Sequence, residues 1–328
     1  MTRWASGSIL CFLLALPSMS ACSRTREAKP PETFTIGVVT WVGSGPYYLA
    51  RDKGLFDGLP VDIRIIDDAA GRRAALARGS IVAMAATVDD FANAAAAGLP
   101  GVAILKTDDS YGGDGIVASA EIKSPADLKG KSIAFPQGMP SHFFLLDTLK
   151  KSGLSTRDLS VHYMEAGEAG AAFVAGKVDA AVTWEPWLSK STQRAGGHVL
   201  RTTRDAPGLI SDIVVANREA LQSRRADFLK FVRGWFAAVA YAGQHPVESD
   251  AIMAKSLNLS LPEWHATVSG MRLANREENL RFFGLEGSDN EFQRVFTSAS
   301  EIWKAEGLVA HPAAPEKCVD SGLVAQGR

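Results

Sequence analysis

Cysteine is nearly absent from this 328-residue sequence, which holds only three, at positions 11, 22 and 318. Two of them fall within the first 22 residues, so a fold that begins later keeps a single thiol, Cys318, and cannot form an internal disulfide. The six histidines, at 142, 162, 198, 245, 265 and 311, lack the spacing of metal ligands. The sequence therefore predicts a core that stands without disulfides, no metal site and no bound cofactor.

An excess of charge of either sign is also missing, because 35 Lys and Arg residues face 36 Asp and Glu residues and the formal net charge is −1. Basic residues are spread along the chain without a block, so we expect no nucleic-acid partner. The sequence shows no Walker-type phosphate loop, no Ser-His-Asp set and no paired-carboxylate motif. These absences favour a binding protein over an enzyme.

Long apolar runs are missing as well, and the apolar run near the start is short. Residues 8–16 read Ser-Ile-Leu-Cys-Phe-Leu-Leu-Ala-Leu, too few for the roughly 20 apolar residues that span a membrane. Small residues then lead up to Cys22. This pattern predicts a secretory signal peptide over residues 1–21 and a flexible tether over residues 22–32.

The end of that signal, Met19-Ser20-Ala21-Cys22, resembles a bacterial lipobox. In such a sequence the cysteine carries the lipid and becomes the first residue of the mature protein. The resemblance implies lipidation of Cys22 and attachment to a membrane by a lipid anchor alone. Ordinary cleavage near Cys22 and an uncleaved anchor stay open as alternatives.

What is present is a regular alternation of short β-branched segments and helical segments. Strands are predicted at 34–39, 61–66, 81–86, 102–105, 115–118, 132–135, 160–163, 180–183 and 213–216. Helices follow most of them, and this βα order predicts mostly parallel sheets with helices on both faces. Towards the C-terminus the predicted elements are helices, at 226–243, 246–257, 262–273 and 289–306.

Two α/β units followed by a helical tail predict two lobes. We expect the chain to cross between them near Asp114 and again near Asp212. Residues 33–113 then form the first part of lobe I, residues 114–212 form lobe II, and residues 213–328 return to lobe I with the C-terminal helices. Two connecting strands would act as a hinge.

Four motifs in order resemble the periplasmic-binding-protein type II fold, in the nitrate/sulfonate/taurine-binding branch of ABC importer proteins. They are Trp41–Ala50 with Lys53–Phe56, Asp127–Ala134, Ser141-His142 before an apolar helix, and the block from Phe173 to Trp187. The likeness spans about residues 34–308. It implies a two-lobed α/β fold, each lobe a parallel-rich sheet flanked by helices, with two hinge strands. It also implies a small-molecule ligand, an ABC permease and its ATPase as partners, and an exported, monomeric protein that is periplasmic or on the cell surface.

Candidates for ligand binding stand where predicted strands end and helices begin. Ligands of open α/β sheets bind beyond the carboxyl ends of strands, and helix N-termini offer free N–H groups and partial positive charge. With the resemblance, this reasoning selects Gly43, Ser44, Thr87, Asp90, Ser141 and His142. Thr87 and Ser141 have an alternative role as helix N-caps, worth about 1 kcal/mol, and His142 as an ordinary first-turn residue.

Trp41 and Trp184 follow predicted strands at the end that faces the cleft. Tryptophan offers a large apolar face and one N–H donor, so it can stack on a flat ligand or contact a cation. We expect both residues to contact the ligand. Packing between the lobes is the alternative for both, and it is the favoured role for Trp187.

Acidic residues gather at the same places, because Asp109, Asp114, Glu185 and Asp212 fall at strand ends or crossings. Burying carboxylates near one another disfavours an anionic ligand. In taurine-binding relatives an acid near the second crossing faces the ligand's amine, and Asp212 stands at the matching place. We therefore assign Glu185 and Asp212, together with Ser110, to a ligand with an amine or amide donor, zwitterions included. The alternative is that Asp109 and Asp114 brace a glycine-rich hinge.

Other roles stay open at this stage. Arg72 and Arg73 could meet an anion, although a solvated helix face is the expected place for both. Rival functions are a thiamin-precursor-pyrimidine binder of the same fold, a sensing or scaffold lipoprotein, and an enzyme. Thiamin-pyrimidine synthases resemble this lobe arrangement, but the cysteine-rich run of that family is absent here.

Overall fold

The computed structural model describes residues 1, 2, 4, 32–287 and 289–327. The chain divides into two units, residues 1–31 and residues 32–328, and the strands and helices of the fold belong to the second unit. Cys22 lies outside the described residues, as do the predicted signal peptide and tether apart from residues 1, 2, 4 and 32. None of the helices in the described part of the chain is long and apolar enough to cross a membrane.

The strands belong to two sheets. In chain order they are β1 (Phe34–Val38), β2 (Val61–Ile65), β3 (Ala83–Thr87), β4 (Gly101–Ser110), β5 (Asp114–Ala118), β6 (Ser132–Phe135), β7 (Ser160–Tyr163), β8 (Ala180–Trp184), β9 (His198–Thr202), β10 (Ser211–Asn217) and β11 (Met271–Leu273). The first sheet has the order β11-β4-β10-β3-β1-β2, and the second has the order β7-β6-β8-β5-β9.

Helices cover both sheets. They are α1 (Gly45–Asp52), α2 (Ala69–Ala77), α3 (Val88–Ala96), α4 (Pro140–Lys151), α5 (Ala166–Val174), α6 (Trp187–Ser191), α7 (Arg218–Ser223), α8 (Arg225–Gln244), α9 (Pro246–Ser256), α10 (Leu261–Val268), α11 (Arg276–Phe282), α12 (Glu291–Ala305) and α13 (Gly322–Gln326). Short 3-10 helices occupy Val42–Ser44, Pro125–Leu128, Thr156–Asp158, Thr203–Asp205 and Pro315–Lys317.

Both sheets hold antiparallel pairs; in the first sheet the reversed strands are β10 and the edge strand β11, and in the second the reversed strand is β5. In the first sheet β10 pairs antiparallel with both β3 and β4, so those two strands run in the same direction with β10 between them. In the second sheet β5 has the same place between β8 and β9. Both sheets are therefore mixed, although the strands joined by βα units are parallel as the sequence predicts. The chain enters the second sheet from the first at β5 and returns to the first sheet at β10.

This reversal positions the site. A strand that enters from the other sheet begins at the edge where the parallel strands end. Asp114, the first residue of β5, consequently lies opposite Trp184, the last residue of β8. Asp212, the second residue of β10, lies opposite Thr87, the last residue of β3. The acidic residues at the start of β5 and β10 thus lie beside the carboxyl ends of β8 and β3.

Both faces of each sheet are buried, which explains the continuous apolar strands. Successive residues of β10 alternate between two cores, because Val214 packs with the cluster around α8 and Val215 packs with the cluster around α12. In β5, Ile116 and Val117 divide in the same way between the clusters on either side of the second sheet. The apolar runs of β5 and β10 therefore form strands although their residues do not alternate between apolar and polar.

The C-terminal part differs from the sequence-based expectation. The helix predicted over residues 262–273 ends with α10 at Val268, and Met271–Leu273 pairs as β11 with the end of β4. Strand β9 has no counterpart among the predicted strands, since its sequence, His-Val-Leu-Arg-Thr, is only partly apolar. Both strands lie at sheet edges, where one neighbour is absent and the burial signal is weaker.

Candidate functional site

The described residues enclose a small cavity, of about 30 Å³, where the edges of the two sheets meet. Its lining comes from both sheets and from the segments between them: Val39, Trp41, Arg72, Ala85, Ala86, Thr87, Asp90, Asp114, Met139, Pro140, Trp184, Ile210 and Asp212. The sheets approach each other closely here, since the indole N–H of Trp184 donates a 3.0 Å hydrogen bond to the carbonyl oxygen of Thr40.

The two tryptophans expected at the ligand do line the cavity. Trp41 follows β1, and its indole N–H donates to Oδ1 of Asp108 at 3.1 Å. Trp184 ends β8 and has its N–H on Thr40. Because both donors are taken by the protein, the rings offer a solute their apolar faces and their π electrons rather than a hydrogen bond.

Glycine at position 43 permits the first of these bonds. A Cβ atom there would lie 2.3 Å from Nε1 of Trp41 and 2.5 Å from Oδ2 of Asp108, closer than any side chain tolerates. Gly43 itself is not among the cavity-lining residues. We conclude that this glycine shapes the site by letting Trp41 and Asp108 meet.

Carboxyl groups surround the cavity. Asp114 and Asp212 line it, and Asp212 lies in register with Asp108 on the neighbouring strand β4. Burial raises the pKa of Asp114, Asp108 and Asp89 to about 7 in each case, and nearby carboxylates add to the increase. Burial also raises the pKa of Asp212 well above its ordinary value, with Asp108 and Asp114 contributing next. These carboxyl groups are therefore costly to ionise where no positive group faces them.

Two arginines stand beside these acids, Arg72 buried and Arg73 partly exposed. For Arg72 this differs from the solvated helix face that the sequence predicts. The Arg72 side chain is 1% exposed, its Nη1 donates to the carbonyl oxygens of Ile66 at 2.6 Å and Asp67 at 3.3 Å, and its Nη2 lies 3.9 Å from Asp90. Arg73 binds the same Asp90. Helix α2 turns these residues inwards because the start of α3 supplies a carboxylate for them.

The start of α3 follows directly from the end of β3. The Thr87 hydroxyl accepts a hydrogen bond from the Asp90 backbone N–H at 3.4 Å, so Thr87 caps the helix and also lines the cavity. Its two expected roles are therefore compatible. Asp90 lines the cavity too, and its Oδ2 atom is buried without a hydrogen bond.

The start of α4 is arranged differently. Met139 and Pro140 line the cavity, whereas Ser141 and His142 are buried outside its lining. Nδ1 of His142 accepts a hydrogen bond from the Gly138 N–H at 3.2 Å, and burial lowers the pKa of this histidine to about 4. The Ser141 hydroxyl has no hydrogen-bond partner among the described residues.

The remaining candidates make internal bonds away from the cavity lining. The Ser44 hydroxyl donates to the carbonyl oxygen of Val39 at 3.2 Å. Ser110 bonds with the Thr203 hydroxyl at 2.8 Å and accepts from the Asp114 N–H at 3.1 Å, so it braces the first crossing between the sheets. Glu185 accepts hydrogen bonds from the Ser189 N–H at 3.1 Å and hydroxyl at 2.7 Å, at the start of α6.

Asp109 and Asp114, which the sequence groups in one segment, separate in the structure. Asp109 is ion-paired with Lys106 at 2.8 Å and accepts from the Ser211 hydroxyl at 2.6 Å, so it does brace the crossing. Asp114 lines the cavity instead. Sequence reasoning missed Asp108. Asp108 lies in the polar half of β4, after the predicted strand 102–105, so the sequence carries no distinct signal for it.

A second, larger cavity of about 350 Å³ shares Trp184 with the first. Its lining includes Asp67, Glu165, Glu168 and Trp187. Burial raises the pKa of Glu165, with neighbouring Asp68 adding to the increase. Trp187, for which packing was expected, lines this outer cavity.

Comparison with known proteins identifies relatives. A family model described as NMT1/THI5 like matches residues 41–249. The protein named "Putative aliphatic sulfonates-binding protein" of Escherichia coli strain K12 is 32% identical over 148 residues, which are 45% of this chain and 46% of that protein. The chain thus matches about half the length of this curated relative.

Solved structures share the fold at low identity. The alkanesulfonate-binding protein SsuA from Xanthomonas axonopodis pv. citri, bound to MOPS, matches with a TM-score of 0.75 at 21% identity, over 90% of this chain and all of that one. The desulfurization enzyme DSZB matches with a TM-score of 0.64 at 13% identity, over 90% and 98% of the two chains. The α/β two-sheet fold of periplasmic binding proteins is therefore confirmed.

Proposed function

Because the chain belongs to the NMT1/THI5-like family, we propose that it is the solute-binding component of an ABC importer and holds one small polar solute between its two sheets. The observation that carries this proposal is the cavity at the sheet edges. Trp41 and Asp212 reach it from the first sheet, and Asp114 and Trp184 reach it from the second. A solute there contacts both halves at once, which is what a closing binding protein requires.

The proposed mechanism is closure about two connections. Residues 33–113 and 211–328 form one lobe and residues 114–210 form the other, since β10 begins at Ser211 and belongs to the first sheet. The lobes are joined between β4 and β5 and between β9 and β10. A solute that contacts both lobes binds the closed arrangement better than the open one and shifts the population towards it. The Trp184–Thr40 hydrogen bond joins the two lobes and supports this mechanism, since moving the lobes apart would break it.

Export and anchoring complete the proposal. Residues 1–21 direct secretion, Cys22 carries a lipid, and residues 22–32 tether the monomeric protein near the permease and its ATPase. The tether raises the local concentration of loaded protein at the membrane. Substituting Cys22→Ser tests the anchor: the wild type should partition with membranes and incorporate labelled fatty acid, and the variant should do neither. Equal membrane partitioning of both proteins would contradict lipidation.

The site chemistry favours a nitrogen-bearing solute over a simple anion. Raised carboxyl pKa values at Asp114 and Asp212 mean that negative charge is already destabilised there. A sulfonate, as the names of the relatives suggest, stays the main alternative. Among the described residues the cysteine is Cys318. It is buried in the core beside β4 and does not line the cavity, so it does not support an enzyme function.

A thermal-shift panel tests the proposed function. Taurine, alkanesulfonates, nitrate, ureas, small amines and thiamin precursors are each added to the purified protein. A true solute raises Tm in a saturable way, because it stabilises the folded state by about 2.7 kcal/mol at a hundredfold excess over Kd. Absence of any saturable shift across the panel would count against solute capture and in favour of a scaffold role.

A further inference from the structure

Helix α4 has two apolar faces, and they belong to different lobes. Phe144, Leu145 and Leu149 pack in the core of the second sheet, with β5, β6 and β8. Phe143 and Leu146 instead join the hydrophobic cluster of the first sheet around α3 and α12. Phe143 is 1% exposed and Leu146 is 8% exposed. A helix of lobe II therefore contributes buried side chains to the core of lobe I.

Trp303 of α12 lies in this contact between the lobes and is fully buried. Its ring centroid is 5.6 Å from that of Phe143. Its indole N–H donates a 2.8 Å hydrogen bond to the carbonyl oxygen of Asp89, which fixes the ring at the start of α3. We call this contact, of Phe143 and Leu146 with Trp303, the latch.

The latch is continuous with the second connection between the lobes. Leu209, two residues before β10, packs against the cores of both sheets. The side chain of Asn93 on α3 also donates to the carbonyl oxygen of Gly138, just before α4, at 3.3 Å. Opening the lobes on this side would expose Phe143 and Trp303 to water. Exposing apolar surface is unfavourable in proportion to its area, so this side resists opening.

The outer cavity gives another part of the lobe interface the opposite character. Its volume of about 350 Å³ means that the lobes leave a gap there. Asp67 reaches the gap from lobe I, and Glu165 and Glu168 reach it from lobe II. Burial raises the pKa of Glu165, and Asp68 of lobe I raises it further, although Arg72 opposes that increase. Like charges on the two sides of a gap disfavour its closure.

Polar contacts close this second side. Trp184, which lines both cavities, donates to the carbonyl oxygen of Thr40 at 3.0 Å. The N–H and hydroxyl of Thr40 donate in turn to the Asp67 carboxylate at 2.6 and 2.9 Å. Such bonds exchange for bonds to water at a small net cost. Moving Trp184 away from Thr40 would therefore connect the outer cavity to the inner one.

We propose that the lobes open on one side only. The outer cavity, between Asp67 of lobe I and Glu165 and Trp187 of lobe II, is the gate through which the solute enters and leaves. The latch stays closed and acts as part of the hinge. The role given to the solute rests on the proposed function, but the motion itself belongs to the free protein. Repulsion across the gate favours opening until a solute contacts both lobes.

Distances between pairs of spin labels test this proposal on the full chain, purified in detergent without solute. Ala70→Cys on α2 and Val174→Cys on α5 form the gate pair. Lys150→Cys on α4 and Gln293→Cys on α12 form the latch pair. All four positions are exposed. Each pair thus joins one lobe to the other on a different side of the interface.

Double electron–electron resonance measures the distance distribution of each pair. Cys11 and Cys22 are replaced by serine in every sample, and Cys318 is buried. The latch pair should give one narrow distance. The gate pair should give a broader distribution with a longer component, and this component should grow at low salt, where repulsion between exposed charges is less screened.

Charge variants connect the longer component to the gate. Glu165→Gln should reduce that component, because it removes one of the charges that repel across the gap. Glu219→Gln on α7 is the matched control, since Glu219 is also exposed but does not line the outer cavity. The control should leave the gate distribution unchanged.

The two faces of α4 supply a second matched pair of variants. Leu146→Ala should add a longer component to the latch pair, because it removes apolar contact between the lobes. Leu145→Ala removes the same group from the face that packs within lobe II, so it should leave the latch pair narrow. Urea unfolding verifies that each variant folds, and the distances in the parent protein decide the proposal whether or not these two variants fold.

Two results would overturn the proposal. One is a latch pair distributed as broadly as the gate pair. The other is a gate pair with one narrow distance that neither salt nor Glu165→Gln changes. Neither result bears on solute capture, which the solute panel decides separately. A solute that the panel identifies should remove the longer gate component, and a solute that changed the latch pair instead would also contradict the proposal.

Discussion

The starts of helices α3 and α4 look alike in sequence and differ in the folded protein. Each follows a strand that points at the cavity, and each begins with polar residues that a helix N-terminus would present to a solute. At α3 the polar residues Thr87 and Asp90 line the cavity. At α4 the lining residues are Met139 and Pro140. Ser141 and His142, which follow them, are buried and do not line the cavity.

Partners from distant parts of the chain cause the difference. Asp90 is drawn into an ion-pair cluster with Arg72 and Arg73. His142 is instead covered by Trp303 of α12, with ring centroids 5.4 Å apart, and by Phe135 at 4.9 Å. A helix N-terminus therefore indicates which edge of the fold carries the site, and packing decides which side chains reach it.

The largest expected loss of stability is for a substitution at the start of α3. Asp90→Asn removes the carboxylate that two guanidiniums share, one of them nearly fully buried. Leaving a buried charge unpaired destabilises proteins by about 3–5 kcal/mol, and the free energy of unfolding in urea should fall by that order. Asp147 on α4 pairs with Lys151 and Arg201, and Asp147→Asn should lower the free energy of unfolding by about 1 kcal/mol at most. Equal small losses for both variants would show that the cluster adds no stability.

The pH dependence of stability should follow the buried acids. Asp89, Asp108 and Asp114 have folded pKa values of about 7, above the unfolded value of about 3.9. The folded state then holds more protons, so stability falls as pH rises from about 4 through 7. His142 acts in the opposite sense, because its folded pKa is about 4 and its contribution is lost as pH falls below about 6.5.

Urea unfolding without solute measures that balance. Because burial raises the pKa of Asp212 as well, the buried acids outweigh the one histidine and predict lower stability at pH 8 than at pH 5. Asp108→Asn should flatten the slope, since it removes one of the titrating groups. A solute-free protein whose stability increases steadily over this range would contradict the assignment of raised pKa values.

Smaller effects distinguish the two hydroxyls. Thr87→Val removes the cap of α3 while keeping the shape, and should lower the free energy of unfolding by about 1 kcal/mol. Ser141→Ala removes a buried hydroxyl that has no partner among the described residues, so it should be neutral or slightly stabilising. Denaturant unfolding of the two variants in parallel makes the comparison. A destabilised Ser141→Ala protein would reveal a hydrogen bond to a group that the described residues do not provide.

The smallest expected effect is the change in solute affinity caused by replacing His142 at the start of α4. His142→Phe should lower stability by about 1 kcal/mol, since the Gly138 N–H loses its acceptor. Its affinity for the solute should match the wild type, because His142 is not part of the cavity lining. Calorimetric titration of the folded variant measures this. A large loss of affinity would show that His142 takes part in solute binding.

Sequence reasoning went furthest where a local pattern carries the signal. The nine predicted strands are all present, since short β-branched runs between glycines leave few other structures. The assignments of Trp41, Trp184 and Asp212 to the cavity edge came from their places at strand ends. The antiparallel entry of β5 and β10 could not be derived in the same way, because the direction of a strand depends on where the chain comes from in space.

The site was harder to predict than the fold. Glu185, Ser110 and Ser44 have residue types and positions that suit a ligand, but each is satisfied by a hydrogen bond within the protein. Asp108 was missed because its role depends on Trp41, which comes 67 residues earlier. Local chemistry shows that a side chain can bind a solute, and only its neighbours show whether it is still free to do so.

By itself, the sequence determined the alternation of strands and helices, the family motifs and the collection of acidic and aromatic residues at strand ends, because these depend on periodicity and on residues close in the chain. The tertiary structure alone decided that Arg72 is buried, that Asp114 and Asp212 meet from opposite sheets, and that His142 is sealed. Those outcomes depend on charge balance and packing between segments far apart in sequence, which act only once both sheets have formed.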